Sequence, residues 1–188
     1  MRSLLIRAGY EEASEAEEAD AVIVNTCSFL ASATSESIER TLELAEANTE
    51  GVRNRPIVMC GCVPSRYGDD LPAELPEVAA FVRADAEDGI VSVMDGVLGR
   101  ESAVPVAAGS SAGPLADPLR TVEGASAYVK ISDGCDRFCS FCAIPYIRGR
   151  YASRPYAEIE PEVLALAKSG VREFVLIGQD TGIWGRDL

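Results

Sequence analysis

In the first hundred positions, hydrophobic residues form continuous runs in some segments and a one-sided helical pattern in others. Continuous apolar, largely β-branched runs at 21–26 and 56–60 are typical of buried parallel strands. Between them, residues 33–48 place apolar side chains on one helical face and glutamates on the other. Further helices are predicted at 3–10, 71–81 and 87–97, with a short strand at 81–83. This alternation favours an α/β fold with an open parallel sheet and flanking helices.

The composition changes between residues 99 and 119, where Ala, Gly, Ser and Pro dominate. Such a stretch is typical of a linker between domains. We therefore predict a first domain at 1–99, a linker at 100–120 and a second domain at 121–188.

The second domain begins as a strand–loop–helix–strand unit of a parallel sheet. An apolar strand is predicted at 127–131, a helix at 158–169 with Pro161 in its first turn, and a buried strand at 173–177. One such unit cannot close a barrel, which takes about 200 residues or more. The last strand would then remain an exposed hydrophobic edge, and the sequence is interpreted as a piece truncated at both ends.

The composition limits the kinds of active site, metal site and cellular location that this chain is expected to have. The 188 residues contain six cysteines and no histidine, so histidine-based triads and metal sites are excluded. No apolar run approaches the roughly 18 residues of a membrane span, and the N-terminus lacks the apolar core of a signal peptide. We therefore expect a cytoplasmic protein without membrane contact, in which cysteines serve as metal ligands or catalysts rather than disulfides.

The charge is strongly acidic and uneven. The formal net charge is −13, and residues 1–100 carry 19 acidic against 8 basic side chains. Phosphate neutralisation needs Lys and Arg, so the sequence does not predict direct nucleic-acid binding.

Three cysteines stand close together at 134–142, in the segment G-C-D-R-F-C-S-F-C. The spacing C-x3-C-x2-C places Cys135, Cys139 and Cys142 on one short loop after a strand. Thiolates favour iron–sulfur clusters, zinc or Cu(I), and a structural zinc site would want a fourth ligand that no nearby Cys or His supplies. Three ligands suit a cubane cluster with one iron open to a substrate.

This motif, with an aromatic residue before the last cysteine, resembles the radical S-adenosylmethionine (SAM) superfamily. The surrounding sequence resembles the methylthiotransferase family of this superfamily over nearly the whole chain. The similar segments are Y-V-K-I-S-D-G-C at 128–135, C-A-I-P-Y-I-R-G-R at 142–150, S-R-P at 153–155, N-T-C-S-F at 25–29, E-S-I at 36–38, and G-C at 61–62 before Arg66 and Tyr67.

The resemblance implies that the three clustered cysteines bind a 4Fe–4S cluster, whose open iron would hold SAM. Electron transfer from a reductant such as flavodoxin or ferredoxin would cleave SAM, and the resulting 5′-deoxyadenosyl radical would remove hydrogen from an unreactive carbon. Phe141 is expected near the adenine, and Gln179 and Asp180 are candidate SAM contacts. Arg148, Arg150 and Arg154 add positive charge that would meet the SAM carboxylate or an acidic substrate, or simply line a solvated loop.

The resemblance also implies a second 4Fe–4S cluster in the first domain, which supplies or relays sulfur. Cys27 and Cys62 match two of its ligands and would leave strands at the same sheet edge, whereas Cys60 is interpreted as a core residue. The family's first cysteine, most of the barrel and the C-terminal TRAM domain have no counterpart in this sequence. We therefore expect this polypeptide by itself to be inactive and its full-length parent to be the enzyme.

Segments 176–181 and 185–188 are most similar to family members that methylthiolate the β-carbon of an aspartate in small-subunit ribosomal protein twelve. Family members that modify adenosine in tRNA usually carry Gln-Asn where this chain has Gln179 and Asp180. A tRNA-modifying enzyme and a non-enzymatic iron–sulfur or metal-binding module remain the alternatives.

Overall fold

The computed structural model describes residues 1–50, 54–100 and 124–188. The chain divides into two compact units, Met1–Ala108 and Gly109–Leu188. The expected linker at 100–120 lies outside the described residues apart from Arg100, so the predicted domain boundaries stay a prediction. Within the described residues, no helix is both long enough and apolar enough to cross a bilayer.

The first unit is built on a three-stranded parallel sheet in the order β1–β2–β3, as expected for an α/β fold. The strands are β1 (Val22–Thr26), β2 (Ile57–Gly61) and β3 (Val78–Arg83). Thr26 lies opposite Gly61 in the register of β1 and β2, so both strands end at the same edge of the sheet.

The central strand β2 is buried along its whole length because helices cover both faces of the sheet. Ile57 and Met59 belong to a hydrophobic core with Leu44 on one face. Val58 and Cys60 point to a second core on the other face, which contains Ile90. The alternation follows from the two-residue period of a strand.

In the described part of this unit, five helices flank the sheet: α1 (Arg2–Arg7), α2 (Ala31–Glu50), α3 (Cys62–Tyr67), α4 (Leu71–Glu74) and α5 (Ile90–Leu98). The prediction of a helix over 71–81 is wrong, because α4 ends at Glu74 and β3 begins at Val78. Pro76 explains the break: it lacks an N–H, and it disfavours helical geometry at Leu75, whose φ and ψ are −130° and 67°.

The second unit contains β4 (Ser126–Lys130), β5 (Ser132–Asp133), α6 (Ile144–Arg148), β6 (Ala152–Ser153), α7 (Tyr156–Lys168) and β7 (Glu173–Ile177). β4 and β7 pair in parallel, and β5 and β6 pair antiparallel. The core lies between β4 and α7, where Val129 packs in one cluster with Ile159 and Leu166.

Two expectations for this unit need correction. Helix α7 begins at Tyr156, so Pro161 lies inside the helix rather than in its first turn. The strand at 173–177 is not buried, since Val175, Leu176 and Ile177 are 38–55% exposed. Within the described residues β7 pairs only with β4, which agrees with the expectation of an exposed hydrophobic edge.

Candidate functional site

The cysteine loop, residues 134–142, begins directly after β5, beyond the carboxyl end of β4. Cys135 is buried, Cys139 is exposed and Cys142 is intermediate, and all three are free thiols. The Cys142 backbone N–H donates a hydrogen bond to the Cys139 carbonyl at 2.9 Å, which closes a turn between the last two cysteines.

Gly134 fixes the start of this loop. Its φ is +71°, and a Cβ atom at this position would lie 2.1 Å from the Arg150 carbonyl oxygen. The next residue, Cys135, donates its backbone N–H to the Gly149 carbonyl at 3.3 Å. Only glycine permits this close approach, which holds Cys135 against the chain that follows α6.

The carboxyl end of β7 reaches the same region of the second unit. A Cβ atom on Gly178 would lie 2.3 Å from the Ser132 hydroxyl oxygen, so this glycine lets the chain pass close to β5. Gln179 follows, and its side-chain oxygen is buried without a hydrogen-bond partner among the described residues. A buried amide oxygen of this kind favours a donor from a bound molecule.

Asp180 is joined to the cysteine loop by an ion pair. The Arg137 Nε and Nη2 atoms donate to the two carboxylate oxygens of Asp180 at 2.5 and 3.3 Å. This hydrogen bonding holds the pKa of the Asp180 carboxyl below its ordinary value. Sequence reasoning missed Arg137, because its position between two cysteines carries no signal of a partner 43 residues later.

The aromatic residues of the loop differ in their surroundings. Phe141 is 90% exposed, which leaves its ring face open to a flat ligand. Phe138 lies edge-on to Tyr146 with ring centroids 6.0 Å apart, and the Arg150 guanidinium lies 5.8 Å from its centroid. The expected place of Phe141 beside an adenine stays a prediction.

The three arginines beyond the loop are engaged within the second unit. Arg148 lies 3.9 Å from an Asp133 carboxylate oxygen, and Arg150 lies 3.0 Å from Asp136. Arg154 contacts the buried Glu162 at 2.5 Å. These contacts account for the charges of the three arginines within the second unit, and their expected role toward a SAM carboxylate or an acidic substrate stays a prediction.

In the first unit, Cys27 and Cys62 follow β1 and β2 directly, so both leave the same sheet edge, as expected. Thr26 ties the two strand ends together: its hydroxyl donates to the Cys60 carbonyl at 2.6 Å and accepts from the Val63 N–H at 3.1 Å. Cys27 is exposed, whereas Cys62 is buried.

Side chains from two helices hold the segment that carries Cys27. The Ser37 hydroxyl of α2 lies 2.7 Å from the Ala33 carbonyl oxygen and 3.3 Å from the Cys27 carbonyl oxygen, so its one proton is shared between these two acceptors. Arg66 of α3 donates to the Ser28 carbonyl at 2.6 Å. Through this contact Arg66 links the segment that follows Cys62 to the segment that carries Cys27.

Cys60 is fully buried in the core, in agreement with its interpretation as a core residue. Burial raises the pKa of its thiol from 9.0 to about 12, so the thiolate that binds metals is not available there at neutral pH.

The donor chemistry of the cysteine loop fits an iron–sulfur cluster, because it offers three thiols on one short, partly exposed segment. Within 1–50, 54–100 and 124–188, however, no three thiol or carboxylate side chains stand together in an arrangement that would hold a metal ion. The roles of Cys135, Cys139, Cys142, Cys27 and Cys62 as ligands therefore stay predictions.

Two family models match this chain, one for each of its two cysteine-bearing regions. Residues 1–83 match the model described as Uncharacterized protein family UPF0004, and residues 129–186 match the Radical SAM superfamily. Cys27 and Cys62 therefore lie within the UPF0004 match, and the three-cysteine loop lies within the radical SAM match. The radical SAM match is consistent with SAM and an iron–sulfur cluster as cofactors.

Curated relatives give the comparison more detail. The chain is 40% identical to the Ribosomal protein uS12 methylthiotransferase RimO of Symbiobacterium thermophilum, over 100% of this chain and 39% of the relative. It is 41% identical to the protein of the same name from Trichodesmium erythraeum, over 98% of this chain and 41% of the relative. The chain spans about two fifths of the length of these relatives.

Proposed function

We propose that the chain is part of a radical SAM methylthiotransferase that adds a methylthio group to the β-carbon of an aspartate in ribosomal protein uS12. One observation carries this proposal: the C-x3-C-x2-C loop lies within the radical SAM match, in a chain similar to uS12 methylthiotransferases over its whole length. The proposed site of action is the cytoplasm, where ribosomal proteins are found.

In this proposal Cys135, Cys139 and Cys142 hold a 4Fe–4S cluster, which when bound supplies the electron for reductive cleavage of SAM. A protein reductant such as flavodoxin or ferredoxin would deliver that electron. Gln179 presents a buried oxygen without a partner among the described residues, which suits the amino group or a ribose hydroxyl of SAM. The exposed ring of Phe141 offers a stacking surface for adenine.

Cys27 and Cys62 are proposed ligands of a second 4Fe–4S cluster. The parallel register that brings Thr26 opposite Gly61 supports this, because it starts both cysteine segments at one sheet edge. The buried Cys60, whose side chain lies in the core, serves as the matched control for both ligands.

The cofactor proposal is tested by anaerobic reconstitution with iron and sulfide, reduction with dithionite, and EPR with and without SAM. We expect a 4Fe–4S signal that SAM perturbs, and we expect Cys139→Ala to lose it while Cys60→Ala keeps it. Cys27→Ala and Cys62→Ala should lower the iron content without abolishing the SAM-sensitive signal. A signal that ignores SAM would instead support a non-enzymatic iron–sulfur module.

The substrate proposal is tested with the whole protein, SAM, a reductant and two substrates. Mass spectrometry should detect a methylthio group on an aspartate of uS12 and none on tRNA. Modification of tRNA without modification of uS12 would favour the alternative, an adenosine methylthiotransferase. The acidic first hundred residues are a poor surface for tRNA, which favours the protein substrate.

A further inference from the structure

We propose that the ion pair between Arg137 and Asp180 is a positioning contact, called here the clasp, which holds the cysteine loop against the carboxyl end of β7. In the clasp, the Asp180 carboxylate also balances the positive charge of Arg137 beside the thiols. This inference deepens the proposed function and rests on it, since it gives the pair a role at the proposed cluster site. Neither residue is proposed to touch the reacting atoms.

The first observation is the unequal anchoring of the two partners. The Asp180 side chain is only 11% exposed, whereas that of Arg137 is 61% exposed. Asp180 lies two residues after Gly178, where the chain passes close to Ser132. Arg137 belongs to the cysteine loop. The more buried partner is therefore the carboxylate, and the loop is the segment that the ion pair restrains.

The second observation is the conformation of the loop beside Arg137. Phe138 has a φ of +46°, a value that residues with a side chain rarely adopt. Such a conformation costs free energy and persists only where neighbouring contacts hold it. The bidentate contact of Arg137 with Asp180 immediately precedes Phe138 and supplies such a restraint.

The third observation is electrostatic. Arg137 stands two residues from Cys135 and two residues from Cys139, and its guanidinium is paired with the Asp180 carboxylate. The loop that carries both proposed ligands therefore also carries a positive charge, and Asp180 pairs with that charge. Since cluster potentials depend on nearby net charge, Asp180 would offset the influence of Arg137 on a bound cluster.

The restraint is tested by hydrogen–deuterium exchange on the metal-free protein. Asp180→Asn and Arg137→Gln should each speed exchange in the 134–142 peptide by about two- to fivefold, the range expected for an ion pair that is partly exposed. The double variant should exchange no faster than either single variant, because both remove one contact. Glu160→Gln, which removes an exposed carboxylate charge on α7 while an amide oxygen can still accept from the Tyr156 hydroxyl, is the matched control.

Unchanged exchange in both single variants, or effects that add in the double variant, would overturn the clasp. Exchange in β4 and α7 should stay at the unmodified protein's level, which separates loss of the clasp from unfolding. This experiment needs no cluster, so it tests whether the ion pair restrains the loop even if the proposed function is wrong.

A second readout uses the reconstituted cluster. Asp180→Asn leaves an uncompensated guanidinium beside the thiolates and should raise the reduction potential, whereas Arg137→Gln leaves an uncompensated carboxylate and should lower it. General loosening of the loop would not produce opposite signs. Shifts of the same sign would refute the charge-compensating role, and failure of the unmodified protein to retain any cluster would count against the proposed function instead.

Discussion

Gly61 lies so close to Thr26 that a Cβ atom at residue 61 would be 2.7 Å from the Thr26 carbonyl oxygen. The two residues are register partners at the last paired position of β1 and β2. Gly61 also has a φ of +96°, which residues with a side chain rarely adopt. Glycine therefore lets the two strand ends meet immediately before Cys27 and Cys62.

Replacing this glycine should destabilise the first unit. Gly61→Ala introduces both a clash with backbone and an unfavourable φ, and we expect it to lower the free energy of unfolding by about 1–3 kcal/mol. Hydrogen–deuterium exchange of the β2 amides measures the loss. Gly96→Ala, at a helix position with open space around it, should instead raise stability by up to about 1 kcal/mol. Equal protection in Gly61→Ala and the unmodified protein would contradict this role.

The cysteines of the first unit should differ sharply in reactivity. Cys27 is exposed, whereas Cys60 is fully buried with a thiol pKa of about 12. A rise from 9.0 to about 12 lowers the thiolate fraction roughly a thousandfold at neutral pH. Iodoacetamide at pH 8, followed by mass spectrometry of the metal-free protein, should label Cys27 and spare Cys60. The difference should vanish in urea, and labelling of folded protein at equal rates would refute the burial argument.

Acid should release the C-terminal segment from β6. Hydrogen bonds from Ser153 hold the pKa of the Asp187 carboxyl below its ordinary 3.8, and the Ser153 backbone N–H lies 2.8 Å from it. A depressed pKa means that this contact stabilises the fold above about pH 4 and is lost as pH falls through the lower folded value.

Trp184 reports this transition, because it is the only tryptophan and donates its indole N–H to the Arg154 carbonyl at 3.0 Å. Its fluorescence should change in a step below pH 4, before the far-UV circular dichroism does. Asp187→Asn keeps an acceptor but cannot titrate, so the step should disappear. A step that persists in this variant would assign it to another carboxyl group.

The ion pair between Arg154 and Glu162 should be essential to the second unit. Glu162 is 4% exposed, and removing its partner would leave a buried carboxylate. We expect Arg154→Leu to lower the free energy of unfolding by about 3–5 kcal/mol, measured by urea denaturation with Trp184 fluorescence. The double variant Arg154→Leu/Glu162→Leu should lose less than the single variant. Arg172→Leu, which changes an exposed side chain, serves as the control, and an equal loss there would argue against the buried pair.

Local patterns predicted most of the sheet. The runs at 21–26 and 56–60 became β1 and β2, because β-branched and apolar residues fit the pleated, buried surface of a central sheet. The helix expected at 71–81 failed because Pro76 outweighed the helical spacing of its neighbours. The burial expected for the strand at 173–177 was wrong because apolar composition indicates a strand but not what packs against it.

Residue type and spacing alone predict the thiolate donors of this protein: three cysteines in C-x3-C-x2-C, two more after predicted strands, and no histidine to compete with them. The binding of metals by thiolates depends on residue type and spacing, and the amino-acid sequence shows both. The folding of the chain decides which side chains meet. Arg137 and Asp180 are 43 residues apart, whereas Arg154 lies just before α7 and Glu162 lies inside it. Local sequence patterns do not predict such pairs, because the pairs depend on how strands, loops and helices pack.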